Sequence, residues 1–333
     1  MPILSVHHVT TYTYRQPVGF GEHRILFRPR DSYDQRLIAA SLAITPEPHS
    51  LRWIHDVFGN CVAVARFRGR AAELRFTCRI TLDHTPEPPL SFALAERAAR
   101  YPFAYDPDEM PDLARYIERQ NPDPGGLVAR WARGFLAADG TADTRALLAA
   151  ITTGIHRDFA YRRRSEKGVQ DPAETLRSGR GTCRDFALLM MEAARSLGMA
   201  ARFVSGYLYV PERDGHARGN EEAGEEAGHG IGHVGGGATH AWVQVYLPGA
   251  GWVEFDPTNG IVGNRDLIRV AVARHPGQAV PLHGSWVGRP EDFLGMEVAV
   301  RVTELAEAPS VAEGRAGPHP AAHHLAAHHL AAD

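Results

Sequence analysis

The chain is predicted to be an α+β protein. A cysteine-bearing helix would pack on an antiparallel sheet, preceded by a β-rich N-terminal domain. Three observations carry this expectation. Residues 1–85 are dominated by strand-like alternation. Residues 183–197 carry apolar side chains at the spacing of one amphipathic helix. Two alternating segments, 240–247 and 252–256, flank a Pro-Gly turn signal and read as a hairpin.

Strand-like alternation falls at 3–14, 23–28, 37–44, 61–67 and 73–82, and Pro86-Glu87-Pro88-Pro89 ends this domain. Residues 86–159 read as a helical connecting region, with helices over 93–100, 111–120, 127–138 and 143–159. Residues 160–305 hold the remaining helix and strands 202–210, 240–247 and 252–256. Residues 306–333 form a low-complexity tail in which His319, His323, His324, His328 and His329 alternate with Leu-Ala-Ala. The tail reads as a disordered extension, with metal scavenging as the alternative. A chain of 333 residues suggests about two domains.

The helix at 183–197 has local start and stop signals. Thr182 can cap it, and Asp185 stands three positions on, close to a capping box. Phe186, Leu189, Met190, Ala193 and Leu197 recur at helical spacing, and Gly198 is a stop signal. Cys183 therefore sits at the open end of the buried stripe. The partial positive charge of the first helical turn favours a thiolate there. A buried structural cysteine is the competing reading, since free cysteine is among the most buried residue types.

The hairpin supplies partners for that thiol. His240, Trp242, Gln244 and Tyr246 share one face of the first strand; Trp252, Glu254 and Asp256 share one face of the second. Pairing Val245 with Gly251, around a loop of about five residues, would place His240 opposite Asp256. Their Cβ atoms would then be about 4.5–5.5 Å apart, close enough for a hydrogen bond. A nucleophile, a base and an orienting carboxylate in the order Cys, His, Asp make a generalised triad.

These residues carry a family resemblance. Gly-Thr-Cys-Arg-Asp-Phe-Ala at 181–187, Thr-His-Ala-Trp at 239–242 and Gly-Trp-Val-Glu-Phe-Asp-Pro-Thr-Asn-Gly at 251–260 resemble the core of the bacterial transglutaminase-like superfamily. Upstream, Thr13-Tyr14, Pro17-Val18, Arg28-Pro29-Arg30 and Asp56-Val57-Phe58-Gly59-Asn60 resemble the β-rich region that accompanies this core in bacteria. Downstream, residues 265–272 and the strand near 296–302 also fit. The resemblance spans roughly residues 1 to 305 and implies a papain-like site: Cys183 as nucleophile, His240 as base and Asp256 as its orienter.

The implied activity is cysteine-dependent acyl transfer on amide bonds through a thioester, with hydrolysis of a peptide or isopeptide bond in a protein or peptide substrate preferred. Protein-glutamine transamidation is one alternative. A non-enzymatic interaction protein on the same scaffold is another. The Cys183 backbone N–H is a candidate oxyanion donor, with Tyr161 or Gln170 as candidates for a second. Arg162 to Arg164 and Arg184 read as a solvated basic face or a site for an acidic substrate group, and Arg184 as a local partner for Asp185.

Composition narrows the other classes. A formal net charge of −3 offers no electrostatic case for nucleic acid or membrane binding. No apolar run approaches the roughly 20 residues that span a bilayer, and the N-terminus lacks the regions of a signal peptide. A cytoplasmic location is expected. Cys61 and Cys78 could form a disulfide, although buried thiols are preferred. Residues 211–238 are polar and glycine-rich and lead into His240, so they read as an inert insertion or as a lid. His216, His229 and His233 lie there. No zinc-ligand spacing joins them to Cys183 and His240, and neither metal nor cofactor is expected.

Overall fold

The computed structural model describes residues 2–86, 90–162, 168–210 and 237–306. Two antiparallel sheets form the N-terminal part. In the first, strand Ile3–Phe20 lies between Arg70–His84 and Phe293–Leu305, with Gln35–Thr45 beyond Arg70–His84. In the second, His23–Ile25 pairs with Cys61–Arg66, which pairs with Ser50–His55. Alternation works as the sequence implies: Leu4 and Val6 of one strand and Leu74, Phe76, Ile80 and Leu82 of its neighbour are buried in a common core with Ile25, Val62 and Val64.

The C-terminal strand corrects the sequence reading. Phe293–Leu305 pairs along the length of the first strand, from Ile3↔Leu305 to Tyr12↔Met296. It therefore belongs to the N-terminal sheet and not with the hairpin. The strand Ser50–His55 lies outside the sequence reading, because its apolar alternation is limited to Leu51 and Trp53, and both are exposed. The helix expected at 93–100 is only a 3₁₀ turn, Glu96–Ala98. Its would-be first turn is held extended, since the Ala95 N–H donates to Pro248 O at 2.8 Å. The other three connecting helices form as Met110–Ile117, Leu127–Arg133 and Thr144–Asp158.

A five-stranded antiparallel sheet organises the remainder, in the order Ile261–Val262, Gly251–Asp256, His240–Leu247, Ala201–Leu208, Leu267–Ala273. The cysteine helix, Cys183–Ser196, packs against His240–Leu247 and Ala201–Leu208. Its residues Phe186, Ala187, Leu189, Met190 and Ala193 share a core with Phe203, Val243, Val245 and Phe255. Trp242 and Val204, which alternate with these, pack in a separate cluster that Phe58 of the N-terminal part borders.

The two parts are joined through an edge strand. Strand Leu267–Ala273 would otherwise present unpaired backbone groups, which are costly when buried. Two side-chain amides stand in for a neighbouring strand. Asn60 donates to Val272 O at 2.7 Å and accepts from Val272 N at 2.9 Å. Gln35 does the same with Arg269 O and N, both at 2.8 Å. Asp56 aims the first clamp, accepting from the Phe58 and Asn60 N–H groups and the Asn60 side chain, each at 2.9 Å.

Candidate active site

The cysteine lies at the start of its helix as expected. Thr182 is extended and Cys183 is the first helical residue, so its N–H is among the donors a helix leaves without an internal acceptor. Asp185 ties this end down. Its fully buried carboxylate accepts from the Thr182 N–H and hydroxyl, both at 2.8 Å, and from the Gln170 N–H at 2.6 Å. Arg184 does not pair with Asp185. Its guanidinium donates to Pro276 O at 2.7 Å and lies over the Phe203 ring. Burial lowers its pKa, opposed by the charges of Cys183 and Asp185.

His240 and Asp256 are on neighbouring strands and share a face, but not in the expected register. The hairpin pairs Leu247 with Gly251 and Val245 with Val253. Only Pro248, Gly249 and Ala250 remain in the turn. The strand is shifted by two residues, which preserves the facing, because side chains alternate with a period of two. The cross-strand partners explain the preference. Tyr246 meets Trp252 ring to ring at 5.4 Å, and Gln244 donates to Glu254 at 3.0 Å. In the expected register Tyr246 would sit in the turn and both contacts would be lost.

The diagonal placement still brings the two together. His240 Nε2 donates to Asp256 Oδ2 at 2.8 Å, with both residues almost wholly buried. Burial pulls the imidazole pKa down, but the Asp256 charge and hydrogen bond and the Cys183 thiol outweigh it, raising it to about 10. Burial works against the Asp256 carboxylate in the same way, and His240, Asn259 and the Thr258 N–H overcome it, so its pKa is lowered. With Nε2 held by Asp256, Nδ1 makes no hydrogen bond of ordinary length within the described residues, and Cys183 is the thiol that interacts with the ring. The His240 ring also stacks on Trp242, 27° between planes.

Three contributors were not anticipated. Asn259 donates to Asp256 Oδ2 at 2.7 Å, and the Thr258 N–H donates to Oδ1 at 2.9 Å. The Asp256-Pro257-Thr258-Asn259-Gly260 run reads as a turn, and the turn is what presents these donors; its Asn was the available signal. His156 holds the turn from outside, its Nδ1 contacting Thr258 O at 2.8 Å. Gln170 is not a candidate oxyanion donor: its side-chain amide is engaged by Thr175, Ser178 and Arg180 O. Tyr161 does lie beside the helix start, paired in parallel with Gly181.

The other sequence candidates lie apart. Cys61 and Cys78 are free thiols, and burial pushes Cys78 up to about 12. Among the described residues no group of three His, Cys, Asp or Glu side chains could hold a metal ion, and no helix is long and apolar enough to cross a membrane. His216, His229 and His233, most of the proposed lid at 211–238, Arg163, Arg164 and the histidine-rich tail lie outside the described residues.

Fold and site together define a papain-like α+β protein with cysteine, histidine and aspartate gathered at the N-terminus of a buried helix. Residues 4–83 match the bacterial transglutaminase-like N-terminal region, and residues 129–257 match the transglutaminase-like superfamily. The chain belongs to the transglutaminase-like superfamily and carries the N-terminal region found with it in bacteria.

Its relatives include Uncharacterized protein ML0607 of Mycobacterium leprae, 28% identical over 91% of this chain and 99% of that one. Uncharacterized protein Rv2569c of Mycobacterium tuberculosis is 28% identical over 85% and 89%. A Cytophaga hutchinsonii protein, named as a putative cysteine protease, shares the fold with a TM-score of 0.64. It covers 93% of this chain and 92% of its own at 18% identity. Membership of this superfamily supports a cysteine-dependent enzyme in general terms.

Proposed function

We propose that the chain hydrolyses an amide bond of a peptide or protein through a Cys183–His240–Asp256 triad. One observation carries the reading: a buried imidazole is hydrogen-bonded to Asp256 and held toward its charged form by it and by the thiol of Cys183, the first residue of a helix. An imidazolium beside a sulfur favours the thiolate, the nucleophilic form.

In the proposed cycle the Cys183 sulfur attacks the amide carbonyl carbon. The Cys183 N–H faces the developing oxyanion. Collapse breaks the C–N bond, and the His240 Nδ1 proton goes to the departing amine. A thioester remains. His240, now neutral, takes a proton from water as the water oxygen attacks the thioester carbonyl. The acid leaves, and the proton returns the pair to thiolate and imidazolium. Asp256 keeps Nε2 protonated and the ring oriented throughout. The fold shared with the Cytophaga protein fits this reading. Transfer to an amine in place of water would use the same thioester.

The test is a glutamine-containing peptide incubated with the chain and a primary-amine probe, analysed by mass. Hydrolysis predicts peptide cleavage or ammonia release without probe incorporation, and loss of both with Cys183→Ala. Incorporation of the probe at glutamine would replace hydrolysis with transamidation.

A further inference from the structure

A cavity of about 410 Å³ opens at the seam between the N-terminal sheets and the five-stranded sheet, within the size range of small-molecule sites. It is separate from the triad. Gln244 lines it, four residues along the strand from His240, or roughly 13 Å at strand rise. The fully buried Trp242 stands between them on that face. The site exists only because the N-terminal part docks on the catalytic sheet: Arg30, Asp31 and Asp34 form one wall, and Arg202, Trp252 and Glu254 the other.

Most charges around the cavity neutralise one another. Arg269 pairs with Asp34 at 3.0 Å and with Glu254 at 2.6 Å. Arg202 is different. Its guanidinium carbon lies over the Trp252 ring, 4.0 Å from the centroid, and its Nε donates to Gln244 at 2.8 Å. No carboxylate among the described residues forms an ion pair with it, and its Nη groups are left over. Burial depresses its pKa to about 10, the mark of a desolvated cation without a full counter-charge. A guanidinium stacked on one face and held at Nε presents a ready fork to a carboxylate. The Glu254 carboxylate is also half used: Gln244 and Arg269 both donate to Oε1, so Oε2 takes neither bond.

We infer that the seam cavity binds a small zwitterion, an amino acid or the free ends of a very short peptide, with Arg202 taking its carboxylate and Glu254 its ammonium. Three arginines and three acids line the space. An anion alone would face Asp31, Asp34 and Glu254, and a cation alone would face Arg30, Arg202 and Arg269. A ligand carrying both charges matches the walls. Phe92, Val253 and Val270 offer apolar contact for its carbon atoms. Occupancy would bridge the strand that carries Asp256 to the strand that carries Gly206 opposite His240, so the ligand would be a product or effector bound outside the triad.

Calorimetric titration of the full chain with Ala-Ala, N-acetyl-Ala-Ala, Ala-Ala amide and free alanine tests this. Saturable binding of Ala-Ala or alanine is expected, at least tenfold weaker for the acetylated and amidated forms. Stronger binding of alanine would assign a free amino acid; stronger binding of Ala-Ala would assign a peptide. Arg202→Met keeps the stem on Trp252 and should weaken binding at least tenfold with the circular dichroism spectrum unchanged. Should that variant misfold, the blocked dipeptides still decide. No saturation by either zwitterion, equal binding of the blocked forms, or undiminished binding by a folded Arg202→Met would overturn the inference. Titration of Cys183→Ala should give unchanged affinity, which separates this site from the proposed triad.

Discussion

His240 shows how two neighbours override burial. A fully buried imidazole on its own would lose its proton more easily than one in water, yet Asp256 and Cys183 hold its pKa at about 10. At neutral pH the ring is therefore charged beside the sulfur. At pH 7 iodoacetamide should alkylate Cys183 at least tenfold faster in the parent than in His240→Ala, because the variant lacks the charged ring that favours the nucleophilic form of the sulfur. Equal rates in the two would remove the catalytic pair. Asn259 acts one step further out. Its hydrogen bond to a charged oxygen is worth about 1.5–3 kcal/mol, so Asn259→Ala should slow Cys183 alkylation at pH 7 about tenfold to a hundredfold. The melting temperature should fall far less than for a core deletion. A variant that labels as fast as the parent would show that the turn, not the amide, fixes Asp256.

At the scale of elements, facing was readable and register was not. Alternation places His240 and Asp256 on one face whichever even shift the hairpin adopts, so the pairing of the two survived an error of two residues. Turn length was ambiguous, because Pro248-Gly249-Ala250-Gly251 permits either a three- or a five-residue loop. What decides it is tertiary: Gly249, at φ +90°, fits against the backbone of Ala93 to Ala95, where any Cβ would collide. The cysteine helix was readable throughout because cap, stripe and stop agree along one short segment. The failed helix at 93–100 was not, since a contact from the distant hairpin turn holds its first residues extended. Gly206 belongs to the same class. It pairs across from His240, and a Cβ there would run into Ile268 O and the Trp242 ring. Overpacking of this kind costs about 1–3 kcal/mol. Gly206→Ala should therefore lower the urea midpoint and disturb the His240–Trp242 stack, read as a shift in tryptophan fluorescence. A variant as stable as the parent would mean that the strand has room to move.

The whole molecule is held by polar clamps between the N-terminal part and the five-stranded sheet, and these were invisible in the sequence because each partner lies some 200 residues from the other. Asn60 with Val272 and Gln35 with Arg269 are two; His8 is a third, its Nδ1 meeting the Tyr207 hydroxyl at 2.9 Å from the first strand of the chain. Buried titratable groups, His8 among them, make stability depend on pH in two opposed ways. Burial, then the nearby His7, lowers His8 to about 4. A depressed imidazole contributes stability above its ordinary value of about 6.5 and loses it as pH falls toward 4. Asp256, also depressed, adds to the loss at the acid end. His240 runs the other way. With a raised pKa its contribution is complete below about 6.5 and disappears as pH climbs through about 10. The buried phenols Tyr12 and Tyr105, pushed up to about 12, begin to cost stability only above about 10, where the same groups ionise in the unfolded chain. The urea midpoint should therefore trace a dome centred near pH 6.5. His8→Asn should flatten its acid limb between pH 6.5 and 4, and His240→Ala its alkaline limb between 6.5 and 10, each leaving the opposite limb in place. An acid limb that keeps its slope in His8→Asn would mean that the seam does not open when that ring is protonated, and would move the acid sensitivity of the fold to the carboxylates.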